Sequence, residues 1–90
     1  MKKAIITVIG QDRVGIIAKV CTYLAETQVN VLDISQTIVS GYFNMMMIVD
    51  VADAAVPYDT LGEQLEAVGS EIGCIIKIQL EDIFNMMHRI

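Results

Sequence analysis

The chain has little positive charge, one histidine and two cysteines in 90 residues, and each shortage removes a class of function. Its six basic residues, Lys2, Lys3, Arg13, Lys19, Lys77 and Arg89, are scattered, and the net charge is −5. Gripping a phosphate backbone requires a clustered cationic surface, so no nucleic-acid partner is expected. The same deficit argues against an anionic membrane surface. Cys21 and Cys74 are far apart with no C-x-x-C spacing, so they predict neither a zinc site nor a redox pair. They read as small buried apolar residues in a reducing compartment. His88 stands alone, with no second histidine and no cysteine pair to complete a metal site, and no nucleophile near it in sequence. No cofactor is called for. No run reaches the roughly 20 apolar residues of a membrane span. The apolar start, Ala4 to Ile9, is interrupted at Thr7, closes at Gly10 and meets charge at Asp12 and Arg13, unlike a signal peptide. A cytoplasmic protein is expected.

What the chain has in excess is apolar surface. A length of 90 residues predicts one domain, marginal in stability as a monomer. Yet 54% of the residues are hydrophobic, above the usual share. Some of that surface is expected to meet a partner.

The β-branched run 3–9 predicts a buried strand ending at Gly10. Ile17, Val20, Cys21 and Leu24 then recur at helical spacing, which predicts a helix over about 14–27 with Asp12 as its N-cap or a favourable anion just outside it. A second strand is predicted over 29–39, with Leu32, Ile34 and Ile38 on one face and Asp33, Ser35 and Thr37 on the other. Ser40-Gly41 is a two-residue link into an antiparallel strand over 42–51. That strand is apolar on both faces, Phe43, Met45, Met47, Val49 and Val51 against Tyr42, Met46 and Ile48, so it is predicted to be central and covered on both sides.

Pro57 opens a second helix, where its missing N–H costs nothing. Tyr58, Leu61, Leu65, Val68 and Ile72 form its stripe, and Gly69 and Gly73 compete to end it. A fourth strand follows over 74–80, then a tail with Ile83, Phe84, Met87 and Ile90 on one face. The order predicts one α+β domain over 1–90 with a core at 3–80: a ferredoxin-like βαββαβ fold. It would be a four-stranded antiparallel sheet, two helices on one face and a short C-terminal helix over 81–90.

Two places carry binding chemistry. In Gly10-Gln11-Asp12-Arg13-Val14-Gly15-Ile16-Ile17, Gly10 allows a positive φ or a close approach, and Gly15 clears a helix start whose free N–H groups attract a carboxylate. A plain β–α turn accounts for the same residues. It is no Walker loop, since Ile16 and Ile17 stand where Lys and Ser/Thr are needed. Asn30 offers an amide to a zwitterion, or only shapes a helix-to-strand turn. Met45-Met46-Met47 alternate across a strand and cannot all bind one ion.

Together, the G-x-D-R-x-G-I turn before a helix and the Val29-Asn30-Val31 junction resemble the ACT domain family over about residues 3–80. The chain is most similar to small stand-alone ACT proteins and to the ACT units of the glycine-cleavage repressor and of formyltetrahydrofolate deformylase. Val14 stands where many members have Pro. The resemblance implies a non-enzymatic regulatory module. It implies an amino-acid ligand between two domains, touching Gly10, Asp12, Arg13, Gly15, Ile16 and Asn30, and assembly into homodimers or larger oligomers. A ligand-free protein that regulates a partner is the alternative. A third reading sets Arg13 and Asn30 against an acyl phosphate, as the acylphosphatases on this fold do, although Asp12 would repel the substrate.

Overall fold

The computed structural model describes residues 1–87; His88, Arg89 and Ile90 lie outside the described residues. The chain runs β1 (Lys3–Gln11), α1 (Ile16–Glu26), β2 (Asn30–Val39), β3 (Tyr42–Asp50), α2 (Tyr58–Ile72), β4 (Cys74–Leu80) and α3 (Glu81–Met87). The sheet is antiparallel in the order β2-β3-β1-β4. This is the ferredoxin-like arrangement with a short C-terminal helix.

Alternation sorts the sheet into two faces. Ala4, Ile6 and Val8 of β1, Phe43, Met45, Met47 and Val49 of β3, and Cys74 and Ile76 of β4 point to the helices and are buried. Ile16, Val20 and Leu24 of α1 and Leu61 and Leu65 of α2 close over them. The α1 stripe is therefore Ile16-Val20-Leu24, at steps of four. Ile17, expected inside, is 37% exposed. Cys74 is buried and Cys21 half-buried, both as free thiols.

Close approach explains two glycines. A Cβ on Gly69, inside α2, would stand 2.6 Å from the Cys74 carbonyl oxygen. Small size there lets the helix press against β4, so the stop signal belongs to Gly73, in the left-handed region at φ 72. Thr27 ends α1 differently. Its hydroxyl donates to the Tyr23 and Leu24 carbonyls, so this buried polar group is satisfied. Between the helices the Tyr23 hydroxyl donates to Gln64 Oε1 at 2.7 Å.

β2 departs from its expected half-buried pattern. Register shifts between Val31 and Asp33, leaving Leu32 as an extra residue in a bulge. Ile34 and Ile38 face the helix side but are 42% and 60% exposed. The cause is placement: α2 packs on β4, and α1 barely reaches β2, so this edge strand projects beyond the helix layer.

The open face is also less covered than expected. Tyr42 and Met46 are 55% and 42% exposed, although β3 is central. Ile5 is the buried residue of that face, and α3 folds back against β1 and β4. Ile83 stays exposed. The Phe84 and Met87 side chains, which the sequence places on one face of the tail with Ile83 and Ile90, and the lone His88 lie outside what is described.

Candidate functional site

β1 runs through Gly10 to Gln11, and the chain then turns through Asp12, Arg13 and Val14 into α1. Gly15 is the N-cap of that helix, with φ 92 and ψ 0. Asp12 is not the cap: no side chain hydrogen-bonds the first turn, and no acidic residue lies in it. A side chain cannot easily take this left-handed conformation, so Gly at 15 has a backbone reason. A Cβ there would have nothing within 4 Å. The start of α1 is therefore an unshielded set of N–H donors carrying the positive end of the helix dipole.

The structure sorts the remaining candidate residues by what surrounds them. Gly10 keeps a negative φ, and its missing side chain makes room inside the fold. A Cβ would stand 2.7 Å from Cys74 Sγ and 2.8 Å from the Gly73 carbonyl oxygen. The Ile16 side chain is buried in the core, so only its main chain is available to a ligand. The Arg13 guanidinium packs over Gly73 at the carbonyl end of α2, where a cation complements the negative end of the helix dipole. It also acts on Cys74: burial pushes that thiol upward and the nearby guanidinium partly offsets the rise. Asp12 is exposed, and its main-chain N–H donates to the Gly41 carbonyl.

Asn30 is the residue that one chain does not bring to this place. It opens β2 opposite Asp50, at the far end of the sheet from the Ser40-Gly41 turn. The length of β2 separates the two ends by about 30 Å. Arg13 and Asn30 are held apart in the same way, which removes the acyl-phosphate pairing within one chain.

Sequence reasoning missed two features of this end. Val14 stands fully out in solvent beside the helix start. The outer edge of β2 is the second. Ser40 and Gly41 have φ 52 and 80, a two-residue turn that makes Val39 and Tyr42 a hydrogen-bonded pair. By alternation Ser35, Thr37 and Val39 bond to β3, and Ile34, Gln36 and Ile38 turn their main-chain groups outward. Asp33 supports the parity, because its carboxylate accepts the Ile34 N–H at 2.8 Å. The bulge was the missing signal, since no residue type marks it.

The geometry and the motif fall within a known family: residues 2–79 match the ACT domain. The chain belongs to the ACT domain family. It is 62% identical over 90 residues to a UPF0237 protein of Bifidobacterium longum, covering the whole of both chains. Among solved structures it is similar to an ACT domain protein from Streptococcus pneumoniae. That likeness has 42% identity and a TM-score of 0.82, over 92% of this chain and 93% of that one. A formyltetrahydrofolate deformylase from Pseudomonas syringae pv. tomato shares the fold. There the TM-score is 0.82 at 24% identity, over 89% of this chain and 28% of that one. Among the described residues, no helix of this ACT domain is long and apolar enough to cross a membrane.

Proposed function

We propose that this ACT domain is a non-enzymatic regulatory module of the cytoplasm, binding an amino acid or similar zwitterion at a site shared by two copies. The observation that carries the reading is the unshielded start of α1 at Gly15. Its N–H groups suit a ligand carboxylate. Asp12 and an Asn30 amide suit the ammonium.

Only a second copy can bring Asn30 there. A two-fold axis at Gln36 would pair the outward groups of β2 with themselves, setting Ile34 against Ile38 of the second copy once the Ile34 N–H leaves the Asp33 carboxylate. No like charges meet, since Asp33 falls opposite Val39. Asn30 precedes Gln36 by as many residues as Tyr42 follows it, so Asn30 of the second copy arrives beside the Ser40-Gly41 turn. That turn is already bonded to Asp12. Each dimer then has two sites, each built from one copy's loop and the other's Asn30.

Complementation tests this. Calorimetry with the twenty amino acids identifies the ligand. Gly15→Val and Asn30→Ala should each abolish or weaken binding, and Asn30→Ala should cost about 1–3 kcal/mol. Mixed and refolded together, the two variants should regain one intact site per heterodimer. Failure to regain binding overturns the shared site. No binding of any amino acid by the unaltered protein favours the ligand-free reading. That alternative draws support from Arg13 and Ile16, which are both committed to the fold.

A further inference from the structure

We propose that the free edge of β4 docks an extended, basic segment of a partner protein, which joins the sheet as a further strand beside α2. The proposal does not depend on an amino-acid ligand.

Among the described residues, no strand pairs with the outer side of β4. A cleft of about 850 Å³ follows it, with Tyr58, Gly62 and Glu66 on the helix side and Thr7 and Lys77 on the other. The Tyr58 hydroxyl donates to the Ile78 carbonyl at 3.0 Å. A carbonyl within reach of Tyr58 points away from β1. By alternation Ile76 and Ile78 turn their main-chain groups outward. A strand laid along this edge would meet donors and acceptors at the spacing it requires.

Charge selects the occupant. Side chains of an added strand opposite Ile76 and Ile78 would project on the α2 side. Asp59, Glu63 and Glu66 line the cleft there, at steps of four and three, and so share one helix face. The intervening side chains would project on the other side, where Lys77 repels a cation. The pattern that fits both walls alternates a basic residue with a neutral one. Gly62 adds no side chain to the helix wall, and a Cβ there would make only ordinary contact, at 3.7 Å from Ile78 Cγ2. The other free edge, β2, is barely reached by α1 and carries a lone carboxylate, Asp33, on the strand. Tyr58 is a guard on β4: it occupies one edge carbonyl until a partner N–H replaces it.

The test uses the full chain and a short, labelled, acetylated peptide that alternates lysine and valine. Fluorescence anisotropy should show binding that weakens with salt. An alternating glutamate–valine peptide and a lysine–proline peptide, which cannot pair as a strand, should not bind. Reversing two exposed charges together, Glu63→Lys with Glu66→Lys, should weaken the complex about tenfold. Tyr58→Phe should bind at least as tightly as the unaltered chain, because the Ile78 carbonyl is already released. Amide shifts should concentrate at Ile76 to Leu80. The proposal is overturned by equal binding of the lysine–proline peptide, by unchanged affinity in the charge-reversed chain, by shifts confined to β2, or by no binding to either the unaltered chain or Tyr58→Phe.

Discussion

The Asp12 main-chain N–H donates to the Gly41 carbonyl at 2.9 Å, tying the loop before α1 to the turn between β2 and β3. The helix start and the end of the edge strand therefore hold a fixed mutual position. Whatever pairs with β2 is placed against the Gly15 loop at the same time, so assembly and ligand binding are expected to be coupled.

Gln36 is the position that tests the edge. Its N–H points away from β3, so a proline there leaves the β2–β3 ladder intact. Gln36→Pro should convert a dimer to a folded monomer in sedimentation at micromolar concentration. A monomeric unaltered chain, or a dimeric variant, would remove β2 as the interface.

Gly69→Ala and Gly10→Ala should both destabilise the fold. Each added methyl enters main-chain contact, at 2.6 Å from the Cys74 carbonyl oxygen and 2.8 Å from that of Gly73 respectively. Overpacking of this kind costs about 1–3 kcal/mol. Denaturant titration of the two variants checks it, and a loss of a few tenths would mean that β4 moves aside.

Acid should weaken the corner where β3 ends. The Asp50 carboxylate accepts the Ala52 N–H at 2.9 Å and the Lys2 N–H at 3.2 Å. The Ala52 bond is the larger cause of its lowered pKa; burial opposes the shift and the Lys2 bond adds to it. A carboxylate lowered on folding contributes stability above its unfolded pKa, near 4, and loses it as pH falls through the lower folded value. Asp50→Ala should flatten the melting temperature between pH 5 and acid, on the order of the carboxylate range. An unchanged acid profile would assign the loss to other groups.

Thiol labelling should separate the cysteines. Burial raises the Cys74 pKa and the Arg13 guanidinium lowers it. Cys21, half-buried, should alkylate first in the native protein. Arg13→Ala should slow Cys74 further by removing the nearby cation. Faster labelling in that variant would instead mean that Arg13 shields the thiol.

The elements and their order were legible because period and punctuation agreed. Ser40-Gly41, Pro57 and Gly73 all sit where a turn, a helix start and a helix stop require them. The choice of Ile17 over Ile16 failed because two adjacent isoleucines satisfy the same spacing, and only the packed neighbour decides. The bulge at Leu32 carries no glycine or proline, so nothing in the sequence announced the change of phase. Gly10 and Gly15 looked alike in the motif and serve opposite needs. One clears a contact inside the fold and the other takes a backbone shape no larger residue favours. Asn30 matched the family by position, but reading it into one pocket needed the sheet, which puts it at the other end.

The place of β1 in the sheet has a kinetic consequence. Ala4 pairs with both Val49 and Leu80, so the first strand made is the last to be enclosed. Non-local closure of this kind slows folding, whereas the β2–β3 hairpin closes locally within about microseconds. During synthesis that hairpin can form early, while β1 still waits for β4. Its outer edge is then the most exposed pairing surface on the nascent chain. The bulge and the Asp33 carboxylate on the Ile34 N–H blunt that edge. Their removal should raise the yield of aggregate before it alters the folded protein.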